Sequence, residues 1–172
     1  MTIDAAVRFE PYVVDVPEHD LKDLRERLLR ARWPDEVENA GWEYCANPHS
    51  LCDLIAYWRD EFYWRRFERG INSFANFRTV LDGQSIHFIH QRGVGPRPLP
   101  LVLSHGWPSS VTEMSKVIGP LSDPESFGGD PEDAFDVVVP SLPGFGFSGS
   151  RTKKGAARTH DLWAALMSGL QY

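Results

Sequence analysis

The sequence predicts an α/β fold in which a helical N-terminal segment precedes an open, partly parallel β-sheet. Apolar residues recur at helical spacing through residues 1–72, and the pattern changes to short β-prone runs after that point. Two nearly continuous apolar runs, residues 101–103 and 135–139, flank a segment with helical spacing. A strand, helix, strand order is typical of a parallel crossover. We therefore expect two domains, 1–72 and 73–172.

The N-terminal segment is predicted to contain two stretches of helix. The first begins near Pro17, which suits the first turn of a helix, and ends before Pro34. The second begins near Pro48 and continues or restarts around Tyr63. Aromatic residues crowd this second stretch, and we expect several of them to be buried. They are Tyr57, Trp58, Phe62, Tyr63, Trp64 and Phe67.

The segment after residue 72 is predicted to build the sheet. Asp82-Gly83 joins two β-prone runs, which indicates a hairpin. Continuous apolar runs such as 101–103 and 135–139 are typical of strands buried on both faces. Helical spacing predicts a helix between these two runs and a last helix over Thr159–Gly169, with Thr159 as its N-cap. Residues 122–132 are expected to form a loop.

The composition excludes several classes of protein. The 172 residues are 42% apolar, and 18 Lys+Arg against 24 Asp+Glu give a formal charge of −6. Nucleic-acid phosphates require clustered basic residues, so we expect no nucleic-acid partner. We expect no signal peptide, because the first residues lack a basic stretch followed by an apolar one, and no run of the sequence approaches the ~20 apolar residues of a membrane span. Cys45 and Cys52 fit a reducing compartment, and we expect a cytoplasmic protein.

The strongest candidate for chemistry is the run His105-Gly106-Trp107-Pro108, which lies between a predicted strand and a predicted helix. The loop at this position in α/β-hydrolases supplies a backbone N–H to the oxyanion hole. Gly106 permits close approach of the backbone, and Pro108 restricts Trp107 to an extended conformation, which would fix the Trp107 N–H before charge develops. A tight turn around a buried Trp explains the same residues, and the sequence leaves both interpretations open.

Three other patterns do not indicate a site. Residues 144–149 match G-x-G-x-x-G, but four residues separate them from the strand and the next helix begins near Thr159, so we expect no nucleotide cofactor. The same run fails as a G-x-S-x-G nucleophile elbow, because Ser150 stands where Gly is required. His87 and His90 fall on opposite faces of a strand, and we expect no metal.

Several long motifs, in order along almost the whole chain, resemble the microsomal-type epoxide hydrolases. The N-terminal motifs are Phe9-Glu10, Val13, residues 24–28, 32–36 and 41–44, Tyr57-Trp58, Trp64-Arg65, Glu68, Asn72, Phe77 and residues 86–90. The later motifs are residues 105–108 and 134–149. Cys45 departs from the family, which more often has Gly there.

The resemblance implies an incomplete α/β-hydrolase sheet preceded by a helical meander. It implies a cofactor-free reaction in which an Asp attacks a small apolar epoxide to form an alkyl-enzyme ester, while lid tyrosines protonate the epoxide oxygen. A His paired with an acid then activates water, which releases a vicinal diol. The Trp107 N–H becomes the oxyanion-hole donor, while His105, Gly106 and Pro108 shape its turn. The Trp107–Pro108 bond is expected to have access to the cis state.

In the same family the Asp nucleophile follows a helix that resembles residues 159–172, so the resemblance places the nucleophile, the acid and the catalytic His after Tyr172. Nucleophilic catalysis needs all three groups together. We therefore expect the N-terminal portion of an epoxide hydrolase, inactive when isolated. The alternative is a non-catalytic binding or scaffold module that pairs with a separate C-terminal half or with a second copy.

Overall fold

A computed structural model of the chain describes residues 7–35, 41–43, 46–150 and 157–172. The chain divides into two compact units, one formed by Asp15–Glu68 and the other by Met1–Val14 with Arg69–Tyr172. The expected domain boundary at residue 72 stays a prediction. Cys45 lies outside the described residues, and Cys52 is a free thiol.

The unit Asp15–Glu68 is helical, as the apolar spacing predicts. Helix α1 (Glu18–Leu29) begins directly after Pro17 and buries Leu21, while its charged side chains form exposed ion pairs along the opposite face. Such exposed pairs contribute at most about 1 kcal/mol each. Burial of the apolar stripe therefore holds α1 in place more than its charges do.

Two further helices follow α1. Helix α2 (Pro48–Asp60) is capped by Asn47, whose side chain accepts a hydrogen bond from the Ser50 N–H at 3.1 Å. The chain then restarts as α3 (Trp64–Asn72), so the second predicted stretch is two helices. The division between the two units falls within α3.

The aromatic side chains of α2 and of the start of α3 are less buried than the sequence suggests. Phe62 and Trp64 contact Phe67, with ring centroids 6.0 and 5.3 Å away. Five apolar residues within 48–67, four aromatic residues and one Leu, are each more than one third exposed: Leu54, Tyr57, Trp58, Tyr63 and Phe67. We call them the aromatic set. Helical spacing defines an apolar face but does not say what covers it.

Glu68 is the polar centre of the same unit. Its buried carboxylate accepts hydrogen bonds from the Val16 N–H at 2.8 Å, from Trp64 Nε1 at 3.0 Å and from Arg65 Nη1 at 2.8 Å. Desolvation alone would raise the pKa of Glu68, but these hydrogen bonds and the Arg65 charge outweigh it and lower the pKa. The carboxylate thereby ties the chain before α1 to α3.

We predict that Glu68→Gln will destabilise the protein by about 2 kcal/mol, because the amide loses one acceptor and turns an N–H group toward Arg65. The lowered pKa adds a pH dependence: the stabilisation is present above the ordinary pKa of 4.5 and is lost as the pH falls through the folded value. Urea denaturation at pH 7 and pH 4 measures both effects.

The matched control is Glu18→Gln, because Glu18 also contacts Arg65, at 3.0 Å, with a side chain that is 70% exposed. An exposed pair of this kind is expected to contribute less than about 1 kcal/mol. Equal losses in the two variants would contradict the prediction, since they would place the stabilisation in the Arg65 charge and not in the buried hydrogen bonds.

The other unit contains a five-stranded sheet within the described residues. Its strands are β1 (Glu10–Pro11), β2 (Asn76–Leu81), β3 (Gln84–Gln91), β4 (Leu99–Val102) and β5 (Phe135–Pro140). Their order is β1-β2-β3-β5-β4, and every pair is antiparallel except β4 with β5, which is parallel. The sequence reasoning missed β1.

The predicted hairpin is confirmed. Asp82 and Gly83 connect β2 to β3, and both residues have positive φ, at 47° and 72°, as a two-residue primed turn requires. The parallel pairing of β4 with β5 is confirmed as well. However, residues 101–103 were expected to be buried on both faces, whereas they are only half-buried and β4 lies at the end of the described sheet.

Helices cover both faces of this sheet. A 3₁₀ turn at Val111–Met114 leads into α4 (Ser115–Ser122) on one face, and α5 (Thr159–Gly169) packs on the other. The first core consists of Val111 and Ile118 with Ile89, Val137 and Val139. The second core consists of Leu162 and Leu166 with Leu81, Ile86, Phe88 and Val138. Alternation along β3 and β5 sends successive side chains to opposite cores.

The segment between α4 and β5 is more ordered than a plain loop. Residues 122–132, expected to be irregular, include a 3₁₀ turn at Pro124–Phe127, and a second turn follows at Pro131–Asp133. Each begins at an Asp whose carboxylate accepts a backbone hydrogen bond, followed by a Pro. An Asx cap and the fixed φ of Pro together start a turn that apolar spacing does not reveal.

The predicted N-cap of α5 is wrong by one residue. Arg158 is the N-cap and Thr159 is the first helical residue. The Asp161 carboxylate accepts the hydrogen bond of the Arg158 N–H at 3.2 Å, so an acid in the first turn replaces the expected Thr hydroxyl. Among the helices of the described ranges, none is long and apolar enough to span a bilayer.

Candidate active site

Two loops meet at one edge of the sheet because β4 and β5 are parallel neighbours. The β4 loop, residues 103–110, follows β4, and the β5 loop, residues 141–149, follows β5. Open α/β sheets place their sites at this carboxyl edge. The predicted run His105-Gly106-Trp107-Pro108 lies in the β4 loop, so its four residues are brought together here.

The β4 loop presents a backbone N–H without a partner. The Gly106 carbonyl accepts a hydrogen bond from the Ser109 N–H at 2.9 Å, and the Trp107–Pro108 peptide is cis. Within the described part of the chain, the Trp107 N–H donates to no acceptor. This N–H shares a peptide plane with the Gly106 carbonyl, so holding the carbonyl also holds the N–H. Trp107 is 82% exposed, so the tight turn that these residues form does not enclose a buried Trp.

His105 joins the two loops. Its ring is buried, and Nε2 accepts a hydrogen bond from the Leu142 N–H at 3.1 Å. The ring proton is therefore on Nδ1, which donates to the Gly106 carbonyl at 3.2 Å. Phe145 packs edge-on against the ring at 5.7 Å. His105 thus holds the Gly106–Trp107 peptide from a second side, in addition to Ser109.

The β5 loop is a series of tight turns. The Gly144 N–H donates to the Gly149 carbonyl at 2.9 Å, and Gly144 and Gly146 adopt positive φ of 85° and 51°. Helix α5 begins only at Thr159. A dinucleotide site needs a helix N-terminus directly after its glycines, and in the described ranges no helix follows residues 144–149 before α5.

His87 lies behind the β5 loop. Its Nδ1 is 2.9 Å from Ser141 Oγ and its Nε2 is 3.0 Å from Asn76 Oδ1. The hydrogen-bonded side chains of Ser141, His87 and Asn76 resemble a Ser-His-Asn catalytic set. However, His87 and Ser141 are fully buried, so no substrate reaches the hydroxyl. Burial first, and then the charge of Arg78, lower the pKa of His87 to about 4. The ring is therefore neutral at pH 7.

His90 lies on the opposite face of β3, as the strand period predicts. Its Nε2 is 3.1 Å from the Tyr172 hydroxyl. Asp136 beside it accepts hydrogen bonds from that hydroxyl, from Arg92 and from the Gly93 N–H. Desolvation alone would raise the pKa of Asp136, but these hydrogen bonds outweigh it and lower the pKa. Burial, together with the nearby Asp136 carboxylate, raises the pKa of Tyr172 to about 12. The cluster ties β3 and β5 to the end of α5.

His87 and His90 both contact other side chains of the protein. In the ranges that the structure describes, no group of three His, Cys, Asp or Glu side chains could hold a metal ion. Sequence reasoning found the β4 loop but missed the contacts behind it, namely the Leu142 N–H and the Ser141–His87 pair. The sequence did contain a signal for these contacts: His87 lies inside a buried strand, and Ser141 directly follows another. Buried polar groups require hydrogen-bond partners, so each of these residues needed one.

The parallel β4–β5 pair, the helices on both faces and the loops at the carboxyl edge, together with the solved structures described below, show part of an α/β-hydrolase fold. The sequence matches the family described as "Epoxide hydrolase N terminus" over residues 9–114, more than half of the chain. The chain belongs to this epoxide hydrolase N-terminal family.

Curated relatives agree with this family. A putative epoxide hydrolase of Stigmatella aurantiaca is 46% identical over 164 residues, covering 94% of this chain and 37% of that protein. Epoxide hydrolase 1 of Oryctolagus cuniculus is 39% identical over 156 residues, covering 88% of this chain and 34% of that protein. The chain thus spans about a third of the length of the curated relatives it matches.

Solved structures give the same result. Juvenile hormone epoxide hydrolase from the silkworm Bombyx mori superimposes with a TM-score of 0.82 at 28% identity, covering 96% of this chain and 40% of that one. The Aspergillus niger epoxide hydrolase gives 0.82 at 28% identity, covering 96% and 44%. Both superpositions show that the described sheet is part of an epoxide hydrolase fold.

Proposed function

We propose that this chain supplies the N-terminal helical part and the oxyanion-binding loop of an epoxide hydrolase that acts on small apolar epoxides. One observation carries the proposal: the Trp107 N–H has no partner among the described residues, and the Gly106 carbonyl of the same peptide is held by two donors, His105 Nδ1 and the Ser109 N–H. A donor fixed before the reaction begins is what stabilises a developing oxyanion. The family membership of the chain supports the choice of reaction.

The proposed reaction has two steps. An Asp carboxylate supplied by the remainder of the enzyme attacks an epoxide carbon, the ring C–O bond breaks, and a tyrosine hydroxyl protonates the released oxygen. A His, oriented by an acid, then takes a proton from water while the water oxygen adds to the ester carbonyl. The Trp107 N–H donates to the oxyanion so formed. Collapse of this intermediate breaks the ester C–O bond, and the leaving diol oxygen takes the proton of the new carboxylic acid, which restores the carboxylate. The proton held by the His returns to the tyrosinate, so that both residues regain their starting state.

Hydrolysis of styrene oxide tests this proposal. The purified 172-residue chain is expected to form no diol above background, because a fixed N–H without nucleophile and base catalyses little. A chimera that continues into the C-terminal portion of the Stigmatella aurantiaca relative is expected to form diol, and that C-terminal portion alone is the control. Diol formation by the isolated chain would overturn the proposal that the Asp nucleophile comes from the remainder of the enzyme. A folded but inactive chimera would overturn the proposed function.

A second candidate function is a non-catalytic binding module. Two observations favour it: the aromatic set defined above is exposed, and β4 has no second strand neighbour within the described residues. Exposed apolar side chains and unpaired strand edges promote association. The partner would be a separate C-terminal half or a second copy of the chain.

Gel filtration with light scattering, on the chain alone and after co-expression with the C-terminal portion of a relative, separates these possibilities. A stable complex without diol formation would support the binding module. A monomer that captures no C-terminal portion would overturn it.

A further inference from the structure

His87 holds the β5 loop by backbone and side chain together. The Ser141 N–H donates to the His87 carbonyl at 2.9 Å, and the His87 N–H donates to Ser148 Oγ at 3.0 Å. Ser148 Oγ in turn donates to the Ser141 carbonyl at 2.8 Å, and Ser141 Oγ contacts the His87 ring at 2.9 Å. The first and the eighth residues of the loop are thus fixed to one residue of β3.

The tautomer of His87 is fixed by its neighbours. Asn76 Nδ2 donates to the carbonyls of Ile71 at 2.9 Å and Phe74 at 2.8 Å, so Asn76 Oδ1 is the atom that faces His87. That oxygen can only accept, which places the ring proton on Nε2. Nδ1 is then an acceptor, and the Ser141 hydroxyl donates to it. Each hydrogen of this buried network therefore has one position.

The network continues from Ser141 to the β4 loop through the next residue. The Leu142 N–H donates to His105 Nε2, and His105 Nδ1 donates to the Gly106 carbonyl. The two imidazoles carry their protons on opposite nitrogens, His87 on Nε2 and His105 on Nδ1. A shift of Ser141 would move the Leu142 N–H and release the constraint on the His105 ring.

We propose that His87 is a positioning residue for the Trp107 N–H, acting through Ser141 and His105. The proposal rests on the proposed function only in assigning that N–H as the oxyanion donor. The hydrogen-bonded connection itself runs entirely through described residues of one unit. His87 touches no reacting atom and is therefore not a catalytic residue.

Nitrogen NMR of the histidine rings tests the connection without any activity. In the unmodified protein His105 is expected to give the signature of the Nδ1–H tautomer. Ser141→Ala deletes the hydroxyl and adds no bulk, and it is expected to shift His105 toward a mixture of tautomers and to move the Trp107 amide resonance. Ser141→Cys, which keeps a weak donor, is expected to restore part of both signals.

The control is His90→Gln, on the same strand but on the opposite face, which is expected to leave both signals unchanged. Unchanged His105 and Trp107 resonances in a folded Ser141→Ala protein would overturn the proposal. So would equal changes in Ser141→Ala and His90→Gln, because they would show only general loosening of β3.

A kinetic measurement distinguishes this proposal from the proposed function. In the active chimera, Ser141→Ala is expected to lower kcat about fivefold with KM unchanged, since the loss corresponds to one hydrogen bond that orients a transition-state donor. If the NMR signals move but the chimera hydrolyses no epoxide, the positioning network stands and the function fails. If the chimera is active and the signals do not move, the function stands and the positioning network fails.

Discussion

Lowering the pH from 7 to 4.5 is expected to remove about 2.5 kcal/mol of the free energy of unfolding through His87 alone. The pKa of this residue is about 4 in the folded chain, against an ordinary value of 6.5. As the pH falls, the unfolded state therefore binds the proton first. The stabilisation from neutral His87 is fully present above pH 6.5 and is lost as the pH approaches 4.

The surroundings of His87 account for the size of this effect. The ring is fully buried, Asn76 and Ser141 hydrogen-bond its neutral form, and the Tyr12 ring packs edge-on at 5.4 Å. Arg78 is the charged group that faces it and adds to the cost of a second positive charge. The guanidinium is itself held over Tyr12 and donates to the Phe147 carbonyl. Protonation would also reverse the hydrogen bond with Ser141, because Nδ1 would become a donor and the hydroxyl would have to turn its own hydrogen away.

Urea denaturation of the wild type and of His87→Gln, at intervals between pH 7 and pH 4.5, measures this effect. The variant is expected to be less stable at pH 7 by about 1–3 kcal/mol, because Ser141 loses its acceptor. Its stability is also expected to fall much less on acidification. His19→Gln is the control, since the His19 side chain is 82% exposed. Parallel pH curves for wild type and His87→Gln would contradict the assignment of the acid sensitivity to His87.

Local signals in the sequence were sufficient for much of the fold. Asp82-Gly83 predicted the hairpin because a two-residue primed turn needs positive φ at both positions, and the structure has it. The strand, helix, strand order predicted the parallel β4–β5 pair. In contrast, β1 is two residues long and pairs across more than sixty residues of chain, so neither periodicity nor composition marks it.

The candidate site also has a part that local sequence predicts and a part that depends on residues far apart in the chain. The β4 loop was predictable because Gly106 and Pro108 restrict the backbone locally. The contact of His105 with the other loop was not, because its partner is the Leu142 N–H, 37 residues further along the chain, which only the parallel pairing of strands brings near. Polar residues within apolar strands indicated that buried hydrogen bonds exist, but only the tertiary structure determines which partners they have.

Deletion of the Trp107 N–H is expected to lower kcat of the active chimera by about 10²–10³-fold, the usual effect of removing one oxyanion-hole donor. Replacing Trp107 by its α-hydroxy analogue does this with little change of shape, because it turns the Gly106–Trp107 amide into an ester. The indole and the peptide geometry are retained. Steady-state hydrolysis of styrene oxide, with diol quantified by chromatography, gives kcat and KM separately. The loss is expected in kcat, since the donor acts on an oxyanion that the ground state lacks.

Two controls assign the effect to this one hydrogen. Trp107→Phe keeps the N–H and changes only an exposed side chain, so it is expected to retain most of the activity. The same ester replacement at Ser109 removes one of the two hydrogen bonds to the Gly106 carbonyl while keeping the Trp107 N–H. It is expected to cost far less than the Trp107 ester, because His105 still holds the carbonyl at 3.2 Å. Equal losses at the two positions would show that the turn as a whole, and not the Trp107 N–H, supports the reaction.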